Sequence, residues 1–276
     1  MICGKNLAFP VAAKTFGNNA SMNFVTDPFF YAVAIPAILM IGISKGGFAG
    51  LGVLGVPLIT LAVPALQAAA IILPILCIMD VFSLIAYRRH VHWKNYICLI
   101  PGALAGILFG TLMFSSLNDD MVRSIVGAVA VIFTLNYWLK PKMPNERTGP
   151  SFVKGSFWGT LSGFTSFIAH AGGPPLQFYM LPQKLDKTIF MGTFVWFFFT
   201  VNYVKLIPYT YLGQFSAENL GTSLVLIPLA PLGVWLGIKA HKIIPEEKFY
   251  RLTYILLFVT GLKLLGDGLN GYLNIF

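Results

Sequence analysis

The chain has 276 residues, of which 57% are hydrophobic and only 11% charged, and its mean hydropathy is +0.75. Soluble globular proteins carry about 25% charged residues, so this composition excludes a water-soluble globule, and it lacks the charge of a disordered chain. Three cysteines are too few for a secreted disulfide scaffold, and the net charge of +9 lies in short gaps between apolar segments, as in polytopic membrane proteins. We therefore expect an all-α polytopic membrane protein.

Residues 1–27 are interpreted as an N-terminal extension. Its apolar stretch Leu7–Ala13 is short and is interrupted by Pro10, which disfavours a cleaved signal peptide. Met22 precedes the first apolar segment by a few residues, so a later start of translation is an alternative explanation of residues 1–21. The sequence leaves the two explanations open.

A helix that crosses a bilayer needs about 20 mostly apolar residues. On this rule the candidate segments in chain order are 29–43, 50–66, 68–87, 95–116, 121–139, 152–169, 174–181, 188–211, 219–240 and 247–269. Two boundaries are Gly/Pro breaks within apolar sequence, at 44–57 and 162–175, where we expect broken or re-entrant helices. The segments amount to six full spans with two re-entrant hairpins, or to ten separate segments.

The two halves of the chain resemble each other. An offset of 118 aligns Ser44, Gly55 and Pro57 with Ser162, Gly173 and Pro175, and an offset of 127 aligns Pro101, Gly106 and Gly110 with Pro228, Gly233 and Gly237. This predicts a transmembrane repeat at 28–140, a cytoplasmic linker at 141–154 and a second repeat at 155–270. Chance matching of common membrane residues is the competing explanation.

Charge distribution gives the orientation of the repeats. Most Lys and Arg residues fall in four segments that the positive-inside rule assigns to the cytoplasm: 88–94, 140–154, 184–187 and 239–251. The two copies then run through the membrane in opposite directions. Inverted repeats of this kind are typical of secondary transporters, whose substrates bind near the midplane where broken helices meet.

Several strings resemble the TauE/SafE family of sulfite-exporter-like membrane transporters. They are GISKGGFAGLGVLGVPLITL from Gly42, LPILCIMD ending at Asp80, SGFTSFIAHAGGPPLQFYMLPQKLDK from Ser162, VNYVKLIPYTYLGQFSAENL, and IPLAPLGVWLG from Ile227. The similarity covers nearly all of residues 29–270. It implies a multi-pass transporter in the inner (plasma) membrane that moves sulfite, organosulfonates or related small sulfur-containing acids.

The chemistry of an anion site directs attention to the two breaks. Backbone N–H groups at helix N-termini bind anions, and glycines let backbone approach a ligand closely. We therefore predict that substrate contacts Gly46, Gly47, Gly55, Gly172 and Gly173. Close helix packing is the alternative role for the same glycines.

Four ionisable residues lie within or beside apolar segments. Lys45 and Lys205 are candidate substrate ligands, since a bound anion would compensate an ammonium within the membrane. His170 is a candidate anion donor or proton carrier, and Asp80 a counter-ion for a lysine or a coupling proton site. The alternatives are snorkelling for Lys45, and a structural hydrogen bond for His170.

The predicted function is secondary transport of a small anion, with proton coupling as one option. A passive anion channel, a non-transport membrane subunit and an intramembrane enzyme are the alternatives. The sequence suggests no cofactor, no metal and no nucleic-acid partner, and it does not indicate an oligomeric state. Two polar groups are assigned structural roles: an intrahelical pair of Lys263 with Asp267, and a headgroup-facing basic loop around His90 and His92.

Overall fold

The computed structural model describes residues 24–49, 52, 55–114, 119–139 and 148–273. These residues form helices and no strand. The helices are α1 (Pro28–Gly46), α2 (Gly55–Ile59), α3 (Ala65–Tyr87), α4 (Trp93–Met113), α5 (Asp119–Leu139), α6 (Phe152–Ala169), α7 (Gly173–Met180), α8 (Lys187–Tyr211), α9 (Ala217–Leu226), α10 (Leu229–Ile243) and α11 (Glu246–Leu273), with a 3₁₀ turn at Leu181–Gln183. Much of the predicted N-terminal extension 1–27 and of the predicted linker 141–154 lies outside the described residues.

The apolar character of the helices supports a membrane protein. Four described helices, α1, α3, α4 and α8, are long and apolar enough to cross a bilayer, and the bent pair of α9 and α10 raises the number to five. The candidate segment 219–240 is thus two helices bent by 45°, with Pro228 between them. In the candidate segment 50–66, the described helix α2 covers only Gly55–Ile59 and is too short to cross a bilayer.

Small residues bring helices together in two parallel pairs. In the pair of α1 with α10, a Cβ on Gly42 would lie 2.7 Å from the Cα of Gly233, so neither position has room for a side chain. In the pair of α4 with α6, Gly102 and Gly106 lie directly against the α6 backbone at Ser156 and Thr160. Helices α5 and α11 form a third pair, in which Gly127 contacts the backbone of Leu265.

The centre of the molecule is the contact between α3 and α8, which are the most deeply buried of the spanning helices. Apolar residues of α3 enter both hydrophobic clusters of the core, Leu73 one of them and Ile72 the other. The polar residues at this contact, Asp80, Asn202 and Lys205, are therefore buried.

Both predicted breaks are present, in narrower form. Helix α1 continues to Gly46 and α2 begins at Gly55. Helix α6 continues to Ala169 and ends at His170, whose φ of 49° is left-handed, and α7 begins at Gly173. The second break is therefore confined to 170–172 rather than 162–175.

The described parts of the four basic segments lie at one end of the bundle. The backbone N–H of His92 donates to the Thr193 hydroxyl at 2.9 Å, and the backbone N–H of Ser151 donates to the Tyr179 hydroxyl at 3.1 Å. Lys187 Nζ donates to the carbonyls of His241 and Ile244, both at 2.9 Å. The charge-based prediction that these segments share one side agrees with these contacts.

Candidate functional site

A buried ion pair joins α1 to α3. Lys45 Nζ donates to Asp80 Oδ1 at 2.6 Å, and the ammonium also lies 4.8 Å from the centre of the Phe198 ring. Lys45 is 6% exposed and Asp80 is fully buried. Among the described residues Asp80 is the one buried carboxylate. Ions this deep need close partners, because their desolvation costs several kcal/mol each, on the order of the attraction that they recover.

Asn202 of α8 completes the coordination of that carboxylate. Its Nδ2 donates to Asp80 Oδ2 at 2.6 Å, so each oxygen of Asp80 accepts one described hydrogen bond. The Oδ1 atom of Asn202 is buried and has no hydrogen-bond partner within the described part of the chain. An acceptor left in this state is costly, which distinguishes Asn202 from an ordinary packing residue.

A second buried lysine lies one turn further along α8. Lys205 Nζ donates to the Ser166 carbonyl at 2.9 Å, to the Ser166 hydroxyl at 3.1 Å and to His170 Nδ1 at 2.8 Å. These bonds use all three donors of an ammonium. No carboxylate pairs with Lys205 within the described residues.

The contacts of His170 define its tautomer. Because Nδ1 accepts from Lys205, the ring proton resides on Nε2, which donates to the Ala69 carbonyl at 2.9 Å. The imidazole is therefore neutral in this arrangement. It links the end of α6 to the start of α3.

These groups lie around a pocket between α1, α3, the two breaks and α8. Its polar lining consists of Ser44, Lys45, Ser166, His170 and Asn202. The apolar lining includes Phe194, Phe198, Ile72 and Leu76, and Gly52 and Gly173 supply backbone from the two breaks. With both lysines protonated, Lys45, Lys205 and Asp80 give the site a net charge of +1.

Five residues of the predicted site come together here: Lys45, Asp80, His170, Gly173 and Lys205. Asp80 pairs with Lys45, and its role as counter-ion or coupling site stays a prediction. The imidazole of His170 and both ammonium groups converge on one region although they come from distant parts of the chain.

The other predicted glycines lie beside the pocket, not along it. Gly46 lies against Gly237 and its carbonyl accepts from the Tyr87 hydroxyl at 2.6 Å, while Gly47 lies against His241. Gly55 contacts Ile41.

Gly172 is also closely packed, because it lies against Ser162, whose hydroxyl donates to the Gly172 carbonyl at 2.6 Å. The contacts of these four glycines are those of close packing. Substrate binding by them stays a prediction.

Sequence reasoning missed Asn202, Ser166 and Phe198. Asn202 could have been found from the repeat with a different offset between the halves. An offset of 122 residues aligns Asp80 with Asn202, whereas the offset of 118 used above aligns Asp80 with Phe198. The structural pair was predicted correctly, since Lys263 Nζ lies 2.9 Å from Asp267 Oδ2 on α11.

A protein-family model described as Sulfite exporter TauE/SafE matches residues 34–264. The match begins within α1 and includes both breaks and every residue of the pocket. No curated protein and no solved structure gives a significant match to the chain.

Proposed function

Because the chain belongs to the sulfite exporter TauE/SafE family, a family of membrane transporters, we propose that it is a secondary transporter of small sulfur oxyanions such as sulfite or organosulfonates. The proposed binding place is the pocket between the two breaks, and the plasma (inner) membrane is the proposed location. The observation that carries the proposal is Lys45, a buried cation that lines this pocket.

The hydrogen bonds of Lys45 support a role in anion binding. An ammonium has three donors, and the described contacts of Lys45 use one of them, toward Asp80. The other two are available to oxyanion oxygens that enter the pocket. Phe194 and Phe198 exclude water from the same space, which strengthens the attraction between the ammonium and an anion.

The net charge of the site favours the same ligand. With both lysines protonated, two ammonium groups face one carboxylate, and the excess positive charge attracts an anion. Lys205 adds to this field from behind His170, because its own donors are occupied by Ser166 and His170. We therefore assign direct contact to Lys45 and a longer-range attraction to Lys205.

We further propose that the two halves are inverted repeats related by an axis through the contact of Asp80 with Asn202. These residues occupy equivalent positions at an offset of 122, and so do Tyr87 and Tyr209. Each tyrosine donates a 2.6 Å hydrogen bond to a carbonyl in the broken helix of its own half, at Gly46 and at Phe167. The pairing of α1 with α10 has a counterpart in the pairing of α6 with α4.

The directions of the helices support the inverted relationship. Helix α1 ends beside His241, at the end of the bundle where α6 begins, so α1 and α6 run in opposite directions. This arrangement is typical of carriers in which the two halves rock around a central site.

The test is counterflow of radiolabelled sulfite in proteoliposomes. We expect saturable exchange by the wild-type protein and at least tenfold less by K45M, which preserves the length of the side chain without its charge. The matched control is K263M, which removes the lysine of the other Lys–Asp pair, on α11 and away from the pocket.

Equal exchange by K45M and wild type would remove Lys45 from the substrate site. A passive anion channel would instead give downhill flux without counterflow. Absence of any sulfite flux with folded protein would exclude sulfite as the substrate.

A further inference from the structure

The side-chain amide of Asn202 is held in one orientation by its neighbour. An ionised carboxylate can only accept hydrogen bonds, so Asp80 requires the NH₂ group of Asn202 on its side, as the 2.6 Å contact has it. The amide oxygen then has no partner within the described part of the chain, although Asn202 is only 1% exposed and lines the pocket. In this arrangement Asn202 offers an anion an acceptor instead of a donor.

Protonation of Asp80 would reverse this arrangement. A neutral carboxyl has an O–H donor, which the amide oxygen of Asn202 can accept once the amide has turned by half a rotation about its terminal bond. The NH₂ group then becomes available to the pocket. At the same time Lys45 loses its negatively charged partner and is free to bind an anion.

We propose that Asp80 and Asn202 form a proton-operated switch that couples the binding of one substrate charge to the uptake of one proton. The inference rests on the proposed transport function. In the step, Asp80 takes a proton from the aqueous phase and forms an O–H bond, and an oxyanion with one negative charge replaces the carboxylate as the counter-ion of Lys45. The net charge of the site is the same before and after the step.

The other ionisable groups around Asp80 are already engaged or uncharged. Lys45 approaches from α1, Lys205 from α8 and His170 from the end of α6, and Cys77 of α3 and Tyr203 of α8 are the remaining neighbours. Lys205 uses its three donors and His170 both ring nitrogens in described hydrogen bonds. Lys45 can only donate, whereas Asn202 has a buried acceptor atom with no partner among the described residues, so Asn202 can accept a hydrogen bond from a protonated Asp80.

The direct test is infrared difference spectroscopy of the purified full-length protein with and without sulfite, at a constant pH at which sulfite carries one negative charge, with binding measured in parallel by calorimetry. We expect sulfite to induce the C=O stretching band of a protonated carboxyl in the wild-type protein. The band should be absent in D80N and much weaker in N202L, which removes the amide while it preserves bulk. D267N, which changes the carboxylate of the pair on α11, should retain the full band.

Affinity gives a second readout. If one proton is taken up per anion, sulfite affinity should weaken about tenfold per pH unit above the titration of Asp80, relative to D80N at the same pH. This comparison removes the contribution of the ionisation of sulfite itself. D80N should bind sulfite more tightly than the wild type does at the same alkaline pH.

The outcomes separate the switch from the transport function. Sulfite binding without the carboxyl band, or an identical pH dependence in wild type and D80N, overturns the switch and leaves the transporter proposal in place. A band that persists in D80N assigns the proton to another group and also overturns it. If the wild-type protein binds no sulfite, the proposed function fails and the switch fails with it.

Discussion

Lys45 and Asp80 stabilise each other in a place where neither could be charged alone. Removing one partner of a buried pair leaves an uncompensated charge and costs about 3–5 kcal/mol, whereas replacing both by apolar residues is close to neutral. The 2.6 Å contact and the burial of both side chains place this pair in that class.

We therefore expect K45M and D80L each to lower the thermal stability of the detergent-solubilised protein substantially, and the double variant to recover most of the loss. The measurement is a double-mutant cycle on unfolding temperature. Additive losses in the double variant would mean that the pair is not coupled in the folded protein.

His170 has a left-handed backbone conformation, and both nitrogens of its ring form hydrogen bonds. With a φ of 49°, the position disfavours β-branched residues, while Asn adopts this conformation more easily. Replacement of the imidazole also removes an acceptor of Lys205.

We expect H170V to be clearly less stable than H170N, by about 1–2 kcal/mol from backbone conformation alone. Thermal unfolding of the two purified variants provides the comparison. Equal stability would indicate that the break relaxes to another conformation.

Much of the site chemistry was predictable at this scale, because a Lys or Asp within an apolar segment must find a partner. Lys45, Asp80, His170 and Lys205 stand out for that reason. Asn202 could not be recognised in the same way, since it is uncharged and lies in the aromatic run of α8. Its importance comes from its contact with Asp80, which only the correct offset between the halves reveals.

At the scale of elements, the breaks explain why no single offset aligns the halves. At the first break one helix ends at Gly46 and the next begins at Gly55, and at the second one ends at Ala169 and the next begins at Gly173, so the helices before the breaks and those after them align at different offsets. Gly/Pro content predicted where the helices stop. The number of residues between them depends on tertiary packing, which the pattern does not specify.

Close contact of α1 with α10 depends on the absence of side chains at their crossing. We expect G42A to destabilise the protein, because its Cβ would lie 2.7 Å from Gly233. The control is G266A on α11, where nothing lies within 4 Å, and which should be neutral or stabilising by up to about 1 kcal/mol through helix propensity. Unfolding temperatures of the two variants test this, and a harmless G42A would contradict the tight crossing.

The start of α8 depends on Asp186, which accepts from the backbone N–H groups of Thr188 at 2.8 Å and Ile189 at 3.3 Å. Partial burial raises the pKa of Asp186, but these hydrogen bonds outweigh it and hold the pKa below its ordinary value of 3.8. A lowered pKa in the folded state means that the stabilisation is complete above the unfolded value and is lost as pH falls through the folded one.

We expect D186A to cost about 1 kcal/mol at pH 7 and the difference from wild type to shrink as the pH falls below about 4. D186S is the control, since a serine hydroxyl caps the helix without titrating. Thermal unfolding at several pH values gives the answer, and a loss by D186A that does not change with pH would contradict the role of the charge.

For the whole molecule, composition and charge were sufficient to predict a helical membrane protein with the basic segments on one side. They could not give the number of spans, because a five-residue α2 and a bent α9–α10 pair are as apolar as a straight helix. Span count depends on helix length and direction, which hydropathy averages do not record.

The common side of the basic segments can be tested by cysteine labelling in a variant without native cysteines. We expect R89C, G149C and K184C to react from one side of the membrane and A217C from the other, as these are exposed positions at opposite ends of the bundle. Labelling of K184C from the same side as A217C would contradict the topology.

The hydroxyls of Tyr87 and Tyr209 make equivalent hydrogen bonds, and each one fixes the broken helix of its own half. Because the halves run in opposite directions under the proposed symmetry, the two hydrogen bonds lie on opposite sides of the central pocket. Y87F should weaken the attachment of the broken helix on the side of the basic loops, and Y209F the attachment of the broken helix on the far side. Two variants that differ from wild type by one oxygen atom each would then bias the carrier toward opposite faces of the membrane, which makes the pair a means of trapping each state separately.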